Sequence, residues 1–403
     1  MLKRTAPPRP IRRVAFVGGS ARNLVMMRAP LMRALMARGI PVMAVAPHFS
    51  ADEEAKLEAM HVERATFALT PRGPRLLADF QIVRELKDKL AAWQADAVLA
   101  SGGRVMSLAL IAAARARVAR RIALVNGLPS VSALAADKGA PDLSAASPRL
   151  LARGLAAATA AVLHNRDDQR RLLRTGALAA SLPTLIVPGA GVDLAAFAVQ
   201  PLPSAANGIV FLMLATLDRA RGVLDYCAAA RDLKARAPQA RFLLAGPAGD
   251  GPTGLKPEAL RPYADAVTFL GPLVDVRPAL AECHVVVYPS HAEGMPRAIL
   301  EALATGRPVV TTETPGCRDT VDDRVNGCLV PAGDAAALQL AMASFLKRPD
   351  LLPAMARASR LKAERHFDER AVIAQMLDVI GVAEAVSAAG LRQDVGSGSL
   401  QQQ

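Results

Sequence analysis

Twice along this chain, short and mostly apolar runs alternate with longer amphipathic stretches, and one Pro- and Ala-rich break separates the two series. The first series runs through Val14–Val17, Pro41–Ala46, Ala97–Ala100, Ile122–Val125, Ala161–His164 and Thr184–Val187, with helical patterns such as Leu24–Arg38 and Leu76–Trp93 between them. After the break at Phe197–Gly208 the second series runs through Ile209–Leu214, Arg241–Ala245, Val267–Leu270, Val285–Tyr288, Val309–Thr312 and Leu329–Val330. Strands alternating with helices long enough to cross over imply parallel sheets with helices on both faces. Right-handed crossovers follow. The predicted architecture is α/β, with two Rossmann-like domains facing across a cleft. The first spans 1–200 and the second 201–369, a helix at about 370–388 crosses back to the first domain, and 389–403 form a disordered tail.

Composition narrows the class. Apolar residues make up 52% of the 403, enough for two cores, which excludes general disorder. Aromatic residues are only 3%, too few for base-stacking platforms, so nucleic acid is not an expected partner. The net charge of +13 divides as +14 over residues 1–200 and −1 over 201–403. A basic first half suits an anionic membrane surface or a phosphorylated acceptor, although many of its arginines occupy solvated helix faces. Cys227, Cys283, Cys317 and Cys328 form no CxxC pair and read as buried free thiols of a reducing compartment. No apolar run approaches the about 18 residues of a membrane helix. The short run after Arg12 and Arg13 is unlike a secretory signal. A cytoplasmic protein with at most peripheral contact at the inner face of the membrane is expected.

The most informative segment is Tyr288–Glu301, YPSHAEGMPRAILE. An apolar strand ends in a loop, and a helix begins near Pro296, where a missing amide proton costs nothing. Such a helix start offers bare amides and a positive dipole end to a diphosphate. Gly294 permits close approach, and Met295 and Pro296 complete the turn. Glu293 stands at its mouth and Glu301 about two turns further on nearly the same face. The spacing alone equally describes a helix-start charge and a solvated carboxylate. Gly18 and Gly19, between a strand and a helix, could approach a phosphate or simply make a tight turn. His164 and His291 follow strands; either could face a cleft or be structural. Arg28, early in the first helix, and Arg104, after a strand-end Ser-Gly-Gly, are candidates for an acceptor's phosphate.

Residues 288–301 resemble the donor-site motif of family 4 glycosyltransferases, retaining enzymes of the two-domain GT-B fold. RGVLDYCAAARDLK (221–234), ARFLLAGP (240–247), FLGPLVDVRPALAECHVVVYPS (269–290), GRPVVTTETPGCRDTV (306–321) and NGCLVPAGD (326–334) are similar to a bacterial polysaccharide and lipid-linked glycan subgroup. HNRDDQRRLL (164–173), PGAGVDLAAF (188–197) and GGRVMSLALIAAA (102–114) match more loosely. The resemblance implies that Glu293 holds sugar hydroxyls, that amides around Gly294, Met295 and Pro296 meet the phosphates, and that Glu301 holds the ribose. It further implies that Gly271 and Leu273 line the base pocket, and that Gly18 and Gly19 approach from the other domain. One position departs from the pattern: the family's Arg-and-Lys pair after the second domain's first strand is here Thr216 and Arg221, with Arg219 able to reach in from the loop. Arginine offers a planar fork where lysine offers a point charge.

The expected reaction moves a sugar from a nucleotide diphosphate, UDP in particular, to a polysaccharide or polyprenyl-linked glycan. The anomeric configuration is retained, and no metal or other cofactor is required. Two other readings remain: a UDP-sugar 2-epimerase of the same fold, and a non-catalytic nucleotide-sugar-binding homologue, which Thr216 motivates.

Overall fold

The structure, a computed structural model, describes residues 10–69, 75–128, 147–249 and 253–382. The first half folds around a seven-stranded, all-parallel sheet in the order β3-β2-β1-β4-β5-β6-β7. Its strands are β1 Val14–Val17, β2 Val42–Ala46, β3 Glu63–Thr66, β4 Ala97–Ser101, β5 Arg120–Val125, β6 Ala160–Leu163 and β7 Thr184–Ile186. The helices α1 Ala21–Met36, α2 Ala51–Ala59, α3 Arg75–Ala92, α4 Gly103–Arg115, α5 Pro148–Ala156 and α6 Arg166–Arg174 connect them. Strands β1, β2 and β4 are buried along their whole length, as apolar runs covered on both faces must be.

The second half repeats the scheme with six parallel strands in the order β10-β9-β8-β11-β12-β13. These are β8 Val210–Leu214, β9 Arg241–Ala245, β10 Val267–Phe269, β11 Val285–Tyr288, β12 Val309–Thr312 and β13 Gly327–Val330. Helices α7 Val223–Arg236, α8 Arg277–Glu282, α9 Arg297–Ala304, α10 Ala335–Lys347 and α11 Leu352–His366 cover them. Each sheet has an apolar core on either face.

Helix α12 Glu369–Ile380 leaves the second half and packs on the first. Val372, Met376, Leu377 and Ile380 join the core beneath α1 and β1. The two crossing segments run side by side: the Val192 amide donates to the Phe367 carbonyl at 2.8 Å, and the Glu369 amide donates to the Val192 carbonyl at 3.1 Å. Arg307, fully buried, donates from its guanidinium to the carbonyls of Gln200, Pro201, Leu280 and Ala281. That anchors the linker to the second domain. The crossing helix, expected to reach about 388, ends at Ile380 with Gly381 as its cap, and residues 383–403, with the expected tail 389–403, lie outside the described residues. Among the described residues no helix is long and apolar enough to cross a membrane.

In each sheet the strand order reverses once, between β1 and β4 and between β8 and β11. Ligands of open α/β sheets bind beyond the carboxyl ends of the strands at such a switch point. The loops leaving these four strands are therefore where a site belongs.

Candidate active site

The loop after β8 carries Thr216, Arg219 and Arg221, and the loop after β11 carries His291 and Glu293. Gly222 locks them together. It adopts φ +73°, and a Cβ there would lie 2.1 Å from the Pro289 carbonyl oxygen, so only glycine lets the two loops touch. As a result Arg221 and Glu293 form an ion pair, with the Glu293 side chain 12% exposed and Arg221 37%. Tyr288, the last residue of β11, donates its hydroxyl to Glu293 Oε1 at 2.6 Å. Burial pushes the tyrosine up to about 12, so it remains a donor. Thr216 and Arg219 are exposed in the same loop.

His291 is held from two sides. Its amide donates to the Ala220 carbonyl at 2.9 Å, and its Nε2 lies 2.6 Å from Asp225 Oδ2 in the first turn of α7. The Asp225 carboxylate raises the imidazole above its ordinary range, against the opposing effect of burial. A raised folded-state value means that this contact adds stability below the unfolded imidazole's pKa and loses it as pH rises through the folded one. Asp225→Asn is expected to bring the His291 titration, followed by NMR, down to or below the ordinary imidazole range. An unmoved midpoint would show that the pairing does not set it.

Beyond Glu293 the chain turns into α9. The amides of Gly294, Met295, Arg297 and Ala298 find no acceptor among the described residues, leaving the helix start with bare donors. The first domain closes over this turn. A Cβ on Gly294 would lie 2.2 Å from the Asn126 carbonyl oxygen, one on Gly127 2.7 Å from the Gly294 nitrogen, and one on Gly316 2.1 Å from the Gly294 carbonyl oxygen. Three glycines thus let three backbones meet. Asn165 Nδ2 donates to the Gly294 carbonyl at 3.2 Å.

Glu301 is 8% exposed, and burial raises its carboxyl against the opposing pull of Arg297. Arg297 Nε donates to Glu301 Oε1 at 2.7 Å, one helical turn apart, and Arg297 Nη1 donates to the Met26 carbonyl of α1 at 2.8 Å. That carbonyl is available because Pro30 stands four residues later inside α1 and has no amide proton to give it. At the next strand ends, the Gly246 amide donates to the Gly271 carbonyl at 2.9 Å, and a Cβ on Gly246 would overlap the Ala215 carbonyl. Gly271, at φ +72°, has open space where a side chain would project, and Leu273 packs partly buried beside it. Thr216 follows β8 and Gly271 and Leu273 follow β10, at the carboxyl ends of two strands with β9 between them.

Across the gap, Gly18 and Gly19 leave β1 beside Gly102 of the β4–α4 turn, whose Cβ would lie 3.3 Å from the Gly19 nitrogen. The cationic candidates of the first domain sit deeper than the sequence implies. Arg104 is 5% exposed and gives its Nε to Asp79 of α3 at 2.8 Å, so its charge is already matched. Arg28 is 4% exposed and donates to Asn126 Oδ1 at 2.9 Å, beneath the turn that meets Gly294; burial lowers it to about 10. His164 is also buried, and desolvation with the nearby Arg28 charge lowers it to about 3, leaving it neutral at pH 7. Tyr288, Asp225, Asn126 and Arg297 carry no mark in the motif reading; only the i,i+4 spacing of Arg297 and Glu301 was there to find.

Residues 208–348 match the family described as Glycosyl transferases group 1. The D-inositol 3-phosphate glycosyltransferase of Saccharomonospora viridis is 34% identical over 215 residues, 51% of this chain and 46% of that protein. The N,N'-diacetylbacillosaminyl-diphospho-undecaprenol alpha-1,3-N-acetylgalactosaminyltransferase of Campylobacter jejuni is 23% identical over 380 residues, 90% of this chain and 96% of that one. This chain therefore spans about half the length of the first relative and nearly all of the second. Among solved structures, Anabaena HepE in complex with UDP-glucose superposes with a TM-score of 0.72 at 19% identity, over 92% of this chain and 100% of that one.

Proposed function

We propose that this chain, whose residues 208–348 match Glycosyl transferases group 1, is a GT-B-fold glycosyltransferase of family 4 that moves a sugar from a nucleotide diphosphate to a glycan of bacterial polysaccharide or lipid-linked type, with retention. The observation that carries this reading is the Glu293 carboxylate, held by Tyr288 and Arg221 at the unpartnered start of α9. In the free protein Arg221 and Glu293 neutralise one another. A donor diphosphate offers Arg221 a stronger anion and takes hydrogen bonds from the bare amides. Glu293, released but still oriented by Tyr288, then accepts hydroxyls of the transferred sugar.

As the bond from the anomeric carbon to the phosphate oxygen breaks, negative charge grows on the diphosphate, where Arg221 and the helix dipole already point. The acceptor hydroxyl forms its new bond on the same face, and its proton passes to the departing phosphate oxygen. Neutralisation by protein groups leaves no step that calls for a metal. UDP is the proposed nucleotide, and the inner face of the cell membrane the proposed place of action.

The test is incubation of the protein with a panel of nucleotide sugars, with and without a membrane lipid extract. Nucleotide release that depends on the extract is expected. Interconversion of the sugar would instead establish the epimerase reading. Tight binding without turnover would establish a sensor, the reading that exposed, uncharged Thr216 favours.

A further inference from the structure

Next to Glu293 the structure contains a cavity of about 680 Å³. One wall is the loop His291–Glu293 with Pro315, and the other is α6 with Leu128. Helix α6 presents Asp167, Arg170, Arg171 and Arg174 to it, at the spacing that puts side chains on one helix face. The lining carboxylates all have partners. Glu293 has Arg221 and Tyr288, and Asp167 pairs with Arg318. Asp168 accepts from the Leu128 amide at 3.2 Å and from Asn165 Nδ2 at 3.0 Å. Arg170 and Arg174 are less well matched: Arg170 approaches Asp167 only to 3.9 Å with its side chain 68% exposed, and Arg174 is exposed. Leu173, 39% exposed, adds an apolar surface between them.

We infer that this cavity receives the diphosphate of the sugar acceptor, gripped by Arg170 and Arg174, with its apolar substituent against Leu173. The inference rests on the transferase reading, because it places the acceptor's anion beside the carboxylate that holds the donor sugar. Two guanidinium forks on one helix face suit a group with several oxygens better than a single carboxylate. The diphosphate could belong to a lipid carrier or to a soluble sugar diphosphate.

The experiment uses the full chain with UDP present at saturation, so that the donor site is occupied. Binding of inorganic pyrophosphate, geranyl diphosphate and geraniol is measured by calorimetry for the wild type and for an Arg170→Gln, Arg174→Gln double variant. Geranyl diphosphate is expected to bind the wild type and to weaken by about tenfold or more in the variant, the loss that charge-assisted hydrogen bonds imply. UDP affinity and the melting temperature should stay as they were, since both side chains are exposed. A tighter fit for geranyl diphosphate than for pyrophosphate identifies a lipid carrier; equal affinities identify a soluble diphosphate. Equal binding by variant and wild type, or none by the wild type, overturns the inference. Arginines that serve only the helix dipole would give that result. Failure of UDP itself to bind would overturn the choice of UDP as donor nucleotide instead, and is seen separately in the same titrations; failure of every nucleotide sugar in the panel would overturn the transferase reading.

Discussion

Glu293→Gln is expected to lower turnover by roughly 10²–10³-fold, the cost typical of removing one preorganised polar group from an active site. The amide keeps the shape of the carboxylate and can still accept from Tyr288, so the fold and the melting temperature should hold. Its effect on donor binding should run the other way. On the proposed mechanism the diphosphate draws Arg221 out of its wild-type pair with Glu293. In the variant that pair carries no counter-charge, so nucleotide binds as tightly as before or more tightly. The signature is thus a fall in kcat without a rise in the donor's dissociation constant. Turnover comparable to wild type would remove Glu293 from the chemistry. A parallel loss of donor affinity would show that its role is binding alone.

Gly294→Ala should be nearly as damaging for a different reason. The new methyl would sit 2.2 Å from the Asn126 carbonyl oxygen and 2.8 Å from the Gly127 nitrogen, both backbone atoms of the facing domain. Neither can swing aside as a flexible side chain could, so the domains must separate at this point. Each domain keeps its own core, so the melting temperature should change little. The radius of gyration from solution scattering should rise. kcat/KM should fall by about two orders of magnitude, as misplacement by about an ångström can cause. Unchanged scattering and activity would mean that the two turns do not meet in the working enzyme.

The architecture was legible because most of its strands are apolar over most of their length. Runs such as Val14–Val17 and Val285–Tyr288 have only one comfortable place, the middle of a covered parallel sheet. The clearest departure is β3, Glu-Arg-Ala-Thr, which lies at the sheet edge, mostly exposed, and so needs no apolar run to announce it. The sequence also suggests helices from Ala335 onward without marking their breaks. Pro349 and the cap at Asp368 divide that stretch into α10, α11 and α12.

Within the site, what the motif named and what the fold added differ in kind. Glu293, Gly294 and Glu301 follow from a strand-loop-helix pattern that is local in the chain. Asp225 and Asn126 become partners of that loop only when strands far apart in sequence are set side by side, and no spacing records this. Burial has the same character. Arg104 reads as a free cation until α3 brings Asp79 against it. A single sequence shows which groups a chain owns, and much less about which of them it has already used.

Pro30 illustrates how an omission can be constructive. An ordinary residue there would satisfy Met26 within its own helix, and α1 would offer the opposite lobe nothing to hold. With the imino acid in place, one guanidinium spans from that vacant carbonyl to Glu301. The position of a carboxylate deep in one lobe is thereby tied mechanically to the backbone of the other. Opening the jaws would pull on the carboxylate to which the family resemblance assigns the nucleotide's ribose, and filling that place would tug on the jaws.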